Sequence, residues 1–487
     1  MFFLTLLLLT LLTGIFLICF FSTQINFLKI TRIVCNLCLI FVVLEYIRYD
    51  FSTYDCILDQ TFLSDSLSFY LLTSYNFIGI DSFSFLLVGL TCFLLSSCAL
   101  FISINNQYSK LLALCLLTLG FLLISCFIVK DIILFYIIFE AILIPMYILI
   151  GLWGSRERKI RAVYLLFFYT LISSLMFLVG ILYLYHNFNT ANFSWLTFFC
   201  KNYLEPSEQH VLWFLFFLSF ASKIPIFPLH IWLPEAHVEA PTIGSVLLAG
   251  ILLKLGVYGL LRFNLSFFSE ISLYYSPLIY VLCVFGILYA SLSAIRQTDF
   301  KRIIAYSSVA HMNLVVIGLF SFNIFGIEGA IFQSLSHGFV SGSLFFLVGF
   351  LYERYHSRFL YYYGGLVHFM PVYAIFLLFF TLANIALPGT SSFVGEFLLL
   401  LGSFKISVIL GTLATLGVIL CGAYSLWLYN KIIFGNVKTD YLKLFSDLNS
   451  KEIFILLASA FLVLILGIYP SALLNLCSPI SFLFFNF

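Results

Sequence analysis

Four charged residues stand deep inside long apolar runs: Glu140 in DIILFYIIFEAILIPMYILIGLW, Lys223 in VLWFLFFLSFASKIPIFPLHIW, Lys254 in SVLLAGILLKLGVYGLL and Glu396 in LPGTSSFVGEFLLLL. One charge at the centre of a membrane helix costs about 2.5–3.5 kcal/mol on insertion scales, so four unpaired ones cost on the order of 10 kcal/mol. Such residues pair with one another or line ion pathways. The chemistry on offer is proton transfer. A lysine in an apolar site gives up its proton more readily than one in water, and a nearby carboxylate opposes that. Moving the carboxylate's charge therefore switches the lysine between holding and releasing a proton. Lys223 is the sharpest candidate, with Glu140 as its expected partner. The alternative is a static ion pair that only fixes helix packing, and such pairs add little stability.

The other polar residues extend this reading. Lys254 could snorkel to the interface, but its place in the middle of its run makes that strained. Glu396 could instead be a neutral acid capping a broken helix. His311 (AYSSVAHMNLVVIG) and His337 (FQSLSHGFVSGSLFF) have Ser and Tyr neighbours. Histidine titrates near neutrality and can shuttle protons. Both are read as relay groups between the charged sites rather than as helix-bridging hydrogen-bond partners. His230 and His237 flank Trp232 and Pro234 and are expected to line access to Lys223. Asp81, in GIDSFSFLLVGL, is expected to cap a helix or sit at the interface.

These side chains need elements to hold them. The chain has 487 residues, 63% hydrophobic and 9% charged, against about 25% charged in soluble proteins. About 20 apolar residues span a bilayer. The sequence predicts an all-α polytopic membrane protein of about fourteen spans, starting near residues 2, 26, 77, 110, 131, 161, 209, 242, 274, 300, 326, 370, 406 and 452. The first, without a basic n-region or A-x-A site, reads as a retained helix rather than a signal peptide. Residues 50–75 and 187–209 read as outer loops. Sixteen of the 23 Lys and Arg then fall after odd-numbered spans and five after even-numbered ones, with Lys223 and Lys254 inside spans. That asymmetry follows the positive-inside rule and puts both termini outward. The basic stretch 155–161 reads as an orientation signal with a solvated face.

Two spans look broken. Pro225, Pro228 and Pro234 follow Lys223, and Pro388 and Gly389 precede Ser391, Ser392 and Glu396. Proline removes an amide donor and unwinds a helix. The broken spans are the seventh and the twelfth. Five-helix units differ in membrane orientation, so this spacing predicts inverted repeats with sites near the midplane. The expected divisions are 1–109, two repeats at 110–265 and 266–435, and 436–487 with the last span.

Composition also excludes functions. No basic patch with interleaved aromatics suggests nucleic-acid binding. No GxGxxG, Walker loop or haem signature appears, so no nucleotide or redox cofactor is expected in this chain. Cys35 and Cys38 have CxxC spacing inside an apolar helix, with no second pair or nearby His, and read as packing rather than a metal site. The 60 phenylalanines suggest an A/T-rich genome, such as a mitochondrial one.

Three motifs carry a resemblance. SKIPIFPLHIWLPEAHVEAPTIGSVLLAGILLKLGVYGLLR, QTDFKRIIAYSSVAHMNLV and LPGTSSFVGEFLLLLGSF resemble the antiporter-like membrane subunits of proton-pumping NADH:quinone oxidoreductase, over roughly residues 77–435. The first 75 residues match poorly. The resemblance implies that Glu140 and Lys223 form the coupled pair on helices five and seven, and that Lys254 is the connecting lysine of helix eight. It implies a hydrophilic axis through His311 and His337, with Glu396 as the terminal proton-carrying group. Glutamate rather than lysine at that last position marks one of three such members. NADH, FMN, iron–sulfur clusters and ubiquinone would belong to partner subunits. The implied partners are neighbouring antiporter-like subunits and lipids such as cardiolipin, in the mitochondrial inner membrane or, alternatively, a bacterial plasma membrane. A cation/proton antiporter subunit of a sodium–proton system is the second reading, and Glu396 argues against it. A purely structural subunit is the third, and the four costly charges argue against that.

Overall fold

The computed structural model describes residues 2–20, 24–48, 78–102, 108–438 and 446–483. The expected loop at 50–75 lies outside them. The helices are α1 (Phe2–Phe20), α2 (Gln24–Arg48), α3 (Ser82–Phe101), α4 (Ser109–Ile128), α5 (Ile132–Ala141), α6 (Leu143–Trp153), α7 (Lys159–Phe188), α8 (Phe193–Asn202), α9 (Pro206–Lys223) and α10 (Trp232–Glu239). They continue as α11 (Thr242–Leu247), α12 (Leu253–Gly259), α13 (Ser269–Ile295), α14 (Phe300–Leu319), α15 (Ile324–Tyr355), α16 (Pro371–Asn384), α17 (Ser391–Ile406), α18 (Val408–Ile433), α19 (Ser450–Ile468) and α20 (Ser471–Leu483). Among the described residues there are isolated β-bridges but no named strand.

The chain is therefore an all-α polytopic membrane protein. Among the described residues, eleven helical stretches are long and apolar enough to cross a membrane by length and composition. Each expected start lies within five residues of a described helix. Three expected spans are not among the eleven: the first and the twelfth are shorter apolar helices, Thr5–Phe20 and Pro371–Asn384, and the seventh is α9, whose 18 residues open on a polar run from Pro206 to His210. Breaks after Lys223 and after Asn384 interrupt the seventh and the twelfth. Two expectations need correction. The stretch 187–209 is not simply a loop: it holds the short helix α8 and the first turn of α9. Asn192 caps α8 by accepting from the Ser194 N–H, as a short polar side chain does at a helix start. A further helix, α20, follows the last expected span.

Backbone hydrogen bonds repeat along the chain. Ile132 N–H donates to Ala191 C=O at 2.9 Å and Phe193 N–H to Lys130 C=O at 3.0 Å. With the same offsets, Phe300 N–H donates to Arg358 C=O at 3.0 Å and Leu360 N–H to Thr298 C=O at 2.9 Å. Both exchanges tie the start of a second helix to the loop after a third. The breaks match as well. Ile224 N–H reaches Phe220 C=O and Ile226 N–H reaches Ala221 C=O; Ile385 N–H reaches Thr381 C=O and Leu387 N–H reaches Leu382 C=O. This pattern sets Asn384 at the place of Lys223. It is also the reason we propose 110–265 and 266–435 as the two repeats.

Freed carbonyls at the breaks are capped by side chains, as a bilayer interior requires. The Trp232 indole N–H donates to Ser222 C=O at 2.8 Å. The Ser392 hydroxyl donates to Ala383 C=O, the equivalent position.

The two least apolar of the eleven spans, α14 and α15, are among the most buried. α14, α15 and the run 242–265 lie almost wholly inside the protein, whereas α7, α13, α18 and α19 turn much of their surface outward. With lipid outside, polar side chains must face other helices. α15 is the hub, packed against α11, α14, α16 and α17. Two glycines set its close contacts. A Cβ on Gly338 would stand 3.1 Å from the Gly250 carbonyl oxygen, and one on Gly395 would stand 2.8 Å from Gln333 Cα. Small residues let membrane helices approach at backbone distance. The neighbours of those glycines, His337 and Glu396, are carried into the centre.

Candidate functional site

Lys254 lies in α12, between two π-helical segments, Leu248–Leu252 and Leu260–Leu265. π-Segments in helices recur at functional sites. Its side chain is 0% exposed, which excludes snorkelling. The ammonium donates to Ala249 C=O at 2.6 Å and lies 2.9 Å from His337 Nδ1. A charged lysine only donates, so Nδ1 must then accept and the imidazole is neutral, with its hydrogen on Nε2. His337 Nε2 has no partner among the described atoms.

His311 sits in the opposite environment. Its Nδ1 is 3.0 Å from Glu396 Oε1, and that same oxygen accepts from Gln333 Nε2 at 3.1 Å. Gln333 Oε1 in turn accepts from Ser336 Oγ at 2.9 Å. The His311 and His337 ring centroids are 5.7 Å apart. One histidine faces a cation and the other a carboxylate. The spatial order is Lys254, His337, His311, Glu396, so chain order, which puts His311 first, is reversed.

The Glu140–Lys223 pair is looser than expected. No ion pair joins them among the described residues, although each lies within electrostatic reach of the other. The Lys223 ammonium instead sits 4.2 Å from the centroid of the Phe139 ring, an attraction worth about 0.5–2 kcal/mol. Ser174 stands beside the Glu140 carboxyl, whose Oε1 is buried without a partner. Ser173 and Ser222 share a hydroxyl hydrogen bond of 2.6 Å, tying α7 to the residue before Lys223. A carboxylate and an ammonium held close but apart can change their interaction with a small movement.

The remaining histidines divide. His230 packs on Phe227 and Tyr289, with centroid distances of 5.5 and 5.1 Å. His237 stacks on Phe345 at 4.7 Å with neither ring nitrogen partnered. The charged groups acting on it are Lys301 and Lys254, which links it to the Lys254 side of the axis.

Several basic residues counted among the loop charges are bonded to other parts of the protein. Arg262 pairs with Asp81, so Asp81 joins α3 to the end of the run 242–265. Lys301 is buried and donates to Ala240 C=O at 2.7 Å. Arg302 meets Glu235 at 2.5 Å and Arg354 meets Glu452 at 2.6 Å. Arg358 meets Glu239 at 2.8 Å and donates to Ser155 Oγ at 3.0 Å. Burial also pushes the nearby Asp299 carboxyl upward, against the pull of Arg358, Arg302 and Arg156. The stretch 155–158 is exposed, as a solvated face requires.

Sequence reading missed Phe139, Gln333, Asn384, Cys421 and the Glu239–Arg358 pair. Gln333 was within reach, since it lies one helical turn before His337. The others needed contacts across the chain. Cys35 and Cys38 are buried in the core. Among the described residues no three His, Cys, Asp or Glu side chains converge as metal ligands.

The chain is similar to known proteins. A family model described as NADH:quinone oxidoreductase/Mrp antiporter, TM, matches residues 129–421. NADH-ubiquinone oxidoreductase chain 4 of Marchantia polymorpha is 52% identical over 401 residues, which is 82% of this chain and 80% of that one. A chain in the structure of respiratory complex I from Thermus thermophilus with bound NADH has a TM-score of 0.84 and 28% identity, over 99% of both chains. A chain of the Mrp complex from Dietzia has a TM-score of 0.86 at 20% identity, over 99% of this chain and 97% of that one, and so shares the fold. On these likenesses the chain belongs to the NADH:quinone oxidoreductase/Mrp antiporter membrane family and, within it, stands with the chain 4 proteins of NADH-ubiquinone oxidoreductase.

Proposed function

We propose that the chain carries protons across the mitochondrial inner membrane as an antiporter-like subunit of respiratory complex I. NADH oxidation and ubiquinone reduction take place in other subunits, which hold the NADH, FMN, iron–sulfur and ubiquinone sites, and this chain performs no redox step. Its partners are the neighbouring antiporter-like subunits and membrane lipids such as cardiolipin. The relatives named chain 4 support this reading over a sodium–proton antiporter subunit, for which the likeness is one of fold.

The observation that carries the proposal is the buried line of Lys254, His337, His311 and Glu396, with successive separations of 2.9 Å, 5.7 Å between ring centroids, and 3.0 Å. In this reading a charge change arriving from a neighbouring subunit alters the interaction of Glu140 with Lys223. The lysine's proton then passes by way of Lys254, His337 and His311 to Glu396. A charge moved against the membrane potential needs about 2.3 kcal/mol per 100 mV, and moving a carboxylate near a buried lysine can supply that. The test is proton pumping per NADH by the assembled complex in vesicles, with Lys223→Ala or Glu140→Gln. Loss of pumping with either change is expected. Normal pumping with either would sink the assignment.

A further inference from the structure

The second break carries a polar group that the translocation line above does not use. Cys421 on α18 is buried, and its sulfur lies 3.7 Å from His311 Nε2, the nitrogen turned away from Glu396. Three other contacts fix that sulfur. The Tyr424 hydroxyl donates to it at 2.9 Å, the Asn384 side-chain amide donates at 3.6 Å, and the thiol donates to Asn384 C=O at 3.4 Å. Asn384 is the last residue of α16, and its backbone occupies the place that Lys223 holds in the first repeat. The position at the break is thus a lysine in the first half and a neutral amide in the second.

We propose that Cys421 is a positioning residue for His311, held by Asn384 and Tyr424 so that the imidazole can gain and lose a proton without turning away from Glu396. The inference rests on the translocation reading given above. A thiol is both a weak donor and a weak acceptor. With its hydrogen on Asn384 C=O, the sulfur accepts from a protonated Nε2. With its hydrogen turned toward the ring, it donates to a bare Nε2. In both states Nδ1 keeps its contact with Glu396. An apolar side chain would leave Nε2 without a partner when protonated, in a site where an unpaired polar group is costly. The titratable and charged groups facing His311 are Glu396 from α17, His337 from α15 and Cys421 from α18, with Tyr424 behind the Cys421 sulfur. Lys254 acts through His337.

The test uses the intact complex in vesicles, with pumping per NADH followed across pH. Cys421→Val is expected to lower pumping by roughly tenfold, less than the 10²–10⁴-fold that a proton-transferring group itself contributes, and to shift its pH profile. Cys421→Ser, which keeps a donor and an acceptor, is expected to restore most of it. Tyr424→Phe leaves the sulfur in place but removes its strongest donor, so it should move the pH profile even if Cys421→Val fails to assemble. An unchanged pH profile in Tyr424→Phe, or a Cys421→Val complex that pumps like the parent while His311→Ala does not, would overturn this inference alone. Normal pumping by His311→Ala would overturn the translocation route itself.

Discussion

The Lys254 ammonium and the His337 imidazole share one hydrogen bond of 2.9 Å in a site closed to solvent. Two groups that can each carry a proton stand where only one of them can carry it comfortably. The same bond that holds the helices together can therefore pass the proton from one to the other.

Replacing Lys254 by Met removes the donor and keeps most of the volume. Pumping per NADH should fall by about 10²-fold, the usual contribution of a positioned proton donor. Assembly, read on native gels, should be retained. His337→Ala should give a similar loss. Pumping at the parental rate in both variants would show that this bond is structural only.

Arg358 and Glu239 form a buried pair that joins the loop after α15 to the end of α10. Arg358→Ala strands the Glu239 charge and should cost about 3–5 kcal/mol. Complex yield and thermal stability should fall together. Adding Glu239→Gln should recover most of the loss, because the stranded charge is gone. Equal stability of the single and double variants would show that packing dominates here.

Asp299 lies outside the membrane spans, at the N-terminal end of α14, and its Oδ1 is buried without a partner. Burial raises its carboxyl above the ordinary range. A group raised in the folded state favours the folded protein at low pH and loses that advantage once the unfolded carboxyl ionises, near pH 4. Asp299→Asn should therefore gain thermal stability relative to the parent as pH rises from about 4. A stability difference that shrinks over that range would contradict the sign.

Trp232 caps the Ser222 carbonyl at the first break. Trp232→Phe keeps the ring and removes the donor, leaving a buried carbonyl unpaired at a cost of about 1–3 kcal/mol. Thermal stability of the complex should drop, and pumping should drop with it because Lys223 follows Ser222 directly. Ser392→Ala should do the same at the second break. No change in either variant would mean that the freed carbonyls find other donors.

Apolar composition and run length were enough to establish a polytopic all-α protein, because a bilayer admits little else. The prolines after Lys223 and before Glu396 marked both breaks. Glu140, Lys223, Lys254 and Glu396 announced themselves because a charge in an apolar run is costly wherever the helix lies. Spatial order was another matter. Chain order places His311 before His337, whereas packing of α15 against the run 242–265, at Gly338 and Gly250, sets His337 beside Lys254. The Lys223 ammonium over the Phe139 ring and the sulfur of Cys421 behind His311 depend on contacts between distant helices. Basic residues such as Arg358 and Lys301 looked like loop charges and proved to be buried anchors. The cost of each charge is a local property of the sequence, but the partner that offsets it is chosen by how the helices pack.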